Sequence, residues 1–180
     1  LHVGAGAIGF TIYPGSDSAI DMMEEIVEMR KEAAAKGVAT VIWSYPRGEA
    51  ITKEGETAID VAAYAAHMAA LLGAHIIKIK LGTDHLMLPE AKTVYENEEI
   101  DIATQAARVR HCVQSVFNGK RIIVFSGGAK KGANSVFDDA RAIRDGGGNG
   151  SIIGRNSFQR SKPDALEMLG KLVDIYKGKD

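Results

Sequence analysis

Five times along the chain, a short run rich in Val and Ile is closed by Gly or Pro and followed by a longer, charged stretch of helical period. No other feature of the sequence restricts the fold as much. The runs cover residues 7–13, 39–45, 75–81, 121–125 and 151–153. The helical stretches cover 18–36, 57–72, 100–117, 134–144 and 163–176. Ser16, Asp17 or Ser18 can cap the first helix, and Pro163 suits the first turn of the last. A strand–helix order repeated this way predicts a parallel sheet covered by helices. Runs that are apolar throughout, rather than alternating, predict strands buried on both faces. Right-handed crossovers then leave an open doubly wound sheet or a (β/α)8 barrel, and the period does not choose between them. A full barrel takes about 250 residues, so a barrel reading leaves about three units unaccounted for on the N-terminal side of these 180 residues.

Composition narrows the function classes. There are 22 Lys and Arg against 23 Asp and Glu, a balance that argues against a dedicated nucleic-acid binder. No run approaches the roughly 18–20 apolar residues of a membrane helix, and no signal-peptide pattern is present, so membrane partners and export are not expected. The single cysteine, Cys112, leaves no disulfide framework within the chain and fits a reducing, cytoplasmic compartment. No metal-ligand spacing, no Walker loop and no G-x-G-x-x-G after a strand appear, so no cofactor is expected.

The chemistry concentrates where the apolar runs end. In Ile76-Ile77-Lys78-Ile79-Lys80-Leu81, two lysines two residues apart interrupt an apolar strand and share a face. A desolvated amine beside a second cation loses its proton more easily, and a neutral amine condenses with a carbonyl to give a Schiff base. The plainer alternative is a strand end whose lysines reach solvent or pair with carboxylates. At the preceding strand end, Trp43 and Tyr45 share a face; tyrosine moves protons and tryptophan walls pockets, though both also serve as core filler. Ser126-Gly127-Gly128 and Gly154-Arg155-Asn156 close the last two strands. Glycine lets backbone N–H groups approach oxyanions, and arginine adds a fork of donors, so this pair of loops reads as a phosphate site. Lys130-Lys131 can reach a second phosphate or form an exposed charge pair. His67 reads as a core or surface residue, Asp84 and His85 as neighbours of the lysine strand, and Glu54 and Glu56 as helix-start residues.

Taken together and in order, Phe10-Thr11-Ile12-Tyr13-Pro14-Gly15-Ser16, Ile42-Trp43-Ser44-Tyr45-Pro46-Arg47-Gly48, Ile77-Lys78-Ile79-Lys80, Phe125-Ser126-Gly127-Gly128 and Gly154-Arg155-Asn156 resemble the archaeal-type class I fructose-1,6-bisphosphate aldolases. The resemblance runs the length of the chain. It implies an α/β fold, a (β/α)8 TIM barrel of which this chain supplies strands four to eight. Residues 1–180 are then a single domain, the C-terminal part of the barrel, with the first three βα units, including a first-strand aspartate, without counterpart. The resemblance implies Lys78 as the Schiff-base residue with Lys80 as the fallback, Tyr45 as the proton-transfer residue and Trp43 as a pocket wall. It gives Ser126, Gly127, Gly128, Gly154 and Arg155 to the substrate phosphate. The implied reaction is the reversible cleavage of fructose 1,6-bisphosphate into dihydroxyacetone phosphate and glyceraldehyde 3-phosphate, by a homo-oligomer and without a metal. Two rival readings keep the same motifs: a Schiff-base aldolase for another phosphorylated sugar, and a catalytically silent fragment that binds phosphosugars or assembles with other chains. Five strands also leave an open sheet edge, which another copy, a partner or further residues are expected to cover.

Overall fold

The five apolar runs form β1 (Ala7–Ile12), β2 (Ala39–Ser44), β3 (Ile76–Ile79), β4 (Ile122–Ser126) and β5 (Ser151–Ile152). The structure, a computed structural model, describes residues 2–128 and 132–180; Lys130-Lys131 lie outside the described residues. All four strand pairings are parallel and the order in the sheet is β1-β2-β3-β4-β5, the order of the chain itself. A doubly wound sheet reverses its order part-way, which sends helices to both faces. Here every crossover steps one strand in the same direction. With right-handed crossovers that puts all the connecting helices on one face, the arrangement of a barrel wall.

The connections are α1 (Ala19–Ala35), a 3-10 turn (Gly55–Thr57) leading into α2 (Ile59–Leu71), α3 (Pro89–Asn97) with α4 (Gln105–Ser115), and α5 (Ala133–Asp145). After β5 come a four-residue helix, α6 (Arg155–Phe158), and α7 (Lys162–Tyr176). The segment before residue 100 is helical as α3, opened by Pro89, and Glu99, at φ 49°, turns the chain before α4. Thr104 and Ser161 cap α4 and α7 by accepting the N–H of Ala107 and Asp164. Ser18 stands at the start of α1 without a capping bond, while Ser16 Oγ instead donates to the Tyr13 carbonyl.

Side chains alternate strictly across the sheet. Ile12, Ile42, Ile77, Ile79, Ile123 and Phe125 point to the helices and are fully buried. Facing them, α2 presents Ala62, Ala63, Ala66, Ala69 and Ala70, small residues that let the helix lie close to the sheet. Ser44 Oγ donates to the Ala65 carbonyl at 2.8 Å and fixes that contact. His67 is structural, with Nδ1 donating to the Ser115 carbonyl on α4 at 2.7 Å. Cys112 lies in the same core, and burial pushes its thiol up to about 12.

The other face differs from the expectation of strands buried on both sides. Val41, Trp43, Ile76, Lys78, Val124 and Ser126 are half-buried, and Ile122 and Ile152 are exposed. Continuous apolar runs foretell two buried faces only if a layer covers each. Among the described residues the helices cover one face and leave the other half-exposed. Gly9 is the one position on β1 where the neighbouring strand demands glycine: a Cβ there would lie 2.1 Å from the Trp43 ring. The indole thus packs against Gly9, one strand away from Lys78. Gly9→Ala is expected to cost about 1–3 kcal/mol, read as a lower urea midpoint, and to shift the emission of Trp43, the single tryptophan.

Candidate active site

Parallel strands bring all their C-terminal ends to one edge of the sheet, and the loops that leave those ends meet there. The residue register places Trp43 beside Lys78 and Lys78 beside Val124, so side chains of the uncovered face stand in a row across β2, β3 and β4. Two residues further on, Tyr45, Lys80 and Ser126 follow on the same face. At the ends of the strands they border a cleft of about 310 Å3, lined among others by Tyr45, Arg47, Lys78, Lys80, Ser126 and Arg155. Gly127, Gly128 and Gly154 complete its polar rim. Of the residues to which the resemblance gives a catalytic or phosphate-binding role, Trp43 alone is not part of the lining. It sits one turn of the pleat lower on β2 and flanks Lys78 from beneath, with its ring 5.9 Å from the Lys78 nitrogen.

The two lysines have different surroundings. Lys78 Nζ lies between the rings of Trp43 and Tyr45, 6.0 Å from the latter, and among the described residues no carboxylate pairs with it. Burial holds its ammonium below the ordinary lysine range. Lys80 Nζ donates to Glu56 Oε2 at 2.8 Å. The alternatives raised by the sequence therefore separate by residue, with Lys80 in the carboxylate pair and Lys78 outside it. Glu56 also accepts from Lys53, and the two ammonium groups lower its carboxyl to about 2.

Tyr45 is pushed up by burial, partly offset by a hydrogen bond with Ser126 and by the Arg47 charge. The phenol is therefore neutral at pH 7 and available as a proton donor. Arg47, 5.6 Å from the Tyr13 ring, adds a cation to the cleft that the sequence reading passed over. Asn156, fully buried, donates through Nδ2 to the Gly127 carbonyl at 2.8 Å and ties the loop after β5 to the loop after β4. Ile152 and Phe158 supply apolar wall. His85 is not among the lining residues and lies 3.9 Å from Glu54. Among the described residues no three His, Cys, Asp or Glu side chains cluster as metal ligands. The cleft thus gathers Arg47, Lys80 and Arg155, the half-buried amine of Lys78 and glycine-bearing loops, a set of groups that can attract an anion and offer it a nucleophile.

The sequence pattern of the DeoC/LacD family aldolases matches residues 1–160. The chain belongs to that family. Within it, the chain is 34% identical over 181 residues to the fructose-bisphosphate aldolase class 1 of Thermoproteus tenax, covering 99% of this chain and 59% of that protein. It is 33% identical over 189 residues to a probable fructose-bisphosphate aldolase class 1 of Chlamydia muridarum, covering 97% of this chain and 53% of that protein. A solved archaeal fructose-1,6-bisphosphate aldolase, with its catalytic lysine covalently bound to the carbinolamine intermediate, superposes with a TM-score of 0.78 at 30% identity. That superposition covers 97% of this chain and 59% of the other. The chain thus spans between half and three-fifths of the length of these relatives. The aldolase family's parallel α/β barrel architecture agrees with the sequential sheet order.

The Glu56 carboxyl titrates in the folded chain near 2 and in the unfolded chain near 4.5. Its ion pairs therefore contribute stability that is complete above about pH 4.5 and is lost as pH falls toward 2. Urea unfolding across that window should show the wild type losing stability more steeply than Glu56→Gln, with the two curves converging at the acid end.

Proposed function

We propose that the protein is a class I aldolase that cleaves fructose 1,6-bisphosphate reversibly into dihydroxyacetone phosphate and glyceraldehyde 3-phosphate, with Lys78 as the Schiff-base residue. One observation carries this reading: a half-buried, carboxylate-free amine stands between two aromatic rings at the floor of a cationic cleft whose rim is two glycine-bearing loops. The solved relative with a lysine-bound carbinolamine supports the same chemistry.

In this mechanism a substrate phosphate rests against Ser126, Gly127, Gly128, Gly154 and Arg155, and that anchor sets the ketone carbon over Lys78. The Lys78 lone pair attacks the ketone carbon, and the resulting carbinolamine loses water to leave an iminium ion. The iminium withdraws the electron pair of the neighbouring carbon–carbon bond as it breaks, and the aldehyde product leaves. Tyr45 gives its proton to the hydroxyl that leaves the carbinolamine as water, then takes the proton of the hydroxyl that becomes the aldehyde, and returns it to the enamine carbon; the water that hydrolyses the iminium restores the phenol. Hydrolysis of the re-formed iminium frees Lys78 and the second product. Trp43, packed on Gly9, holds the amine against the phenol.

The same reading makes residues 1–180 the C-terminal part of a single barrel domain. The half-exposed inner face and the unpaired edges of β1 and β5 support it, because further strands or another copy would bury them. It also has the enzyme work as a homo-oligomer in the cytoplasm. No helix among the described residues is long and apolar enough to cross a membrane.

Borohydride added with dihydroxyacetone phosphate should fix a covalent adduct on Lys78, found by peptide mass mapping, and Lys78→Met should abolish it together with turnover. Tyr45→Phe should lower kcat by roughly 10²–10⁴-fold while leaving the adduct. Comparing fructose 1,6-bisphosphate with other sugar phosphates tests the substrate; an unlabelled protein, or a preference for another sugar, overturns the assignment. EDTA should leave the rate unchanged.

A further inference from the structure

Two amines two residues apart on one strand face pose a problem of selection for a Schiff-base enzyme. Both border the cleft. We infer that Glu56 is the positioning residue that decides between them: by holding Lys80 in an ion pair, it leaves Lys78 as the amine that condenses with the substrate. This rests on the aldolase reading and adds to it.

The argument is geometric. Glu56 belongs to the 3-10 turn between β2 and α2, and that turn is fastened to the segment that follows β3. The Thr57 carbonyl accepts from Thr83 N at 2.7 Å and from Thr83 Oγ1 at 3.1 Å. Ile59 N donates to the His85 carbonyl at 2.9 Å. Asp60, buried at the start of α2, accepts the N–H groups of Met87 and Leu88 on its two oxygens at 3.1 and 2.9 Å. Gly55, just ahead of Glu56, passes so close to Met87 that a Cβ would lie 2.2 Å from its sulfur. A turn stitched this firmly delivers its carboxylate to one place, and that place is Lys80.

The pair is well sheltered. The Glu56 side chain is 14% exposed and that of Lys80 29%, whereas Lys53, on the other Glu56 oxygen, is 89% exposed and stands in water. Sheltered charge pairs are screened less than those at the surface. An ammonium in such a pair has no lone pair to offer a carbonyl. Lys78 receives no such anchor among the described residues, and its other neighbours are the Trp43 and Tyr45 rings.

The step in question is the attack of a neutral amine on a ketone carbon. Water leaves, an iminium forms, and hydride from borohydride reduces it to a stable secondary amine. If Glu56 restrains Lys80, removing the carboxylate releases a second nucleophile. The test uses the whole protein with dihydroxyacetone phosphate and borohydride, followed by peptide mapping. The wild type should be labelled at Lys78 alone and Lys78→Ala hardly at all. Lys78→Ala with Glu56→Gln should be labelled at Lys80, roughly tenfold or more above the single variant. Thermal melts identify which variants are folded. If the double variant does not fold, Glu56→Gln with Lys78 intact should still show Lys80 carrying a new share of the label. A merely structural Glu56 would change the melt and leave the label where it was, and that result overturns the inference. So does Lys78→Ala alone labelling Lys80 as heavily as the double variant. A wild type unlabelled at both lysines removes the aldolase reading itself, whereas one labelled at Lys78 upholds that reading whatever the variants do.

Discussion

Every crossover in the sheet moves in the same sense, and this constraint organises the rest of the molecule. Because β1 to β5 lie side by side in chain order, all the connecting helices pack on one face, and each strand divides its side chains between two environments. Ile42, Ile77, Ile79 and Phe125 meet the helices and build the core. Trp43, Lys78 and Ser126 point away from that core and are half-buried, and so polar groups can stand there without opening it. The cost of a lysine inside an apolar strand is avoided by facing it away from the hydrophobic layer. Parallel pairing then brings the ends of β2, β3, β4 and β5 to a common edge, where residues far apart in the chain meet.

The chemistry at that edge depends on contrast between like residues. Lys78 and Lys80 belong to one strand face, yet one lies among aromatic rings and the other in a carboxylate pair. The difference arises from loops. The turn carrying Glu56 is bonded to the segment after β3 at Thr83, His85, Met87 and Leu88, so the chain's own connections carry charge to one lysine and not the other. Environment thus sets apart two side chains of identical intrinsic chemistry.

Much of this was legible before the structure. Val- and Ile-rich runs closed by Gly or Pro located all five strands, and the lysines stood out because charge in an apolar run is rare. The grouping of Tyr45, Lys78, Ser126 and Arg155 at one edge followed from reading each as a strand-end residue. Three things were hidden for physical reasons. The choice between a doubly wound sheet and a barrel wall is a matter of strand order, which a strand–helix period does not encode. The Glu56–Lys80 pair joins residues 24 apart through a loop whose path depends on backbone hydrogen bonds, and a glutamate before a helix ordinarily reads as a helix-start residue. Arg47 and Asn156 lay within motifs already noted, yet their partners, Tyr13 and Gly127, are set by packing between neighbouring loops.

The buried amide of Asn156 has a consequence for how such a site can diversify. By bonding the Gly127 carbonyl, it welds the seats after β4 and β5 into one unit, so neither can be reshaped without disturbing its neighbour. The turns after β2 and β3 are tied to one another by a separate set of bonds, at Thr83, His85, Met87 and Leu88. The mouth of the cleft is therefore two fastened halves, each of which changes as a unit.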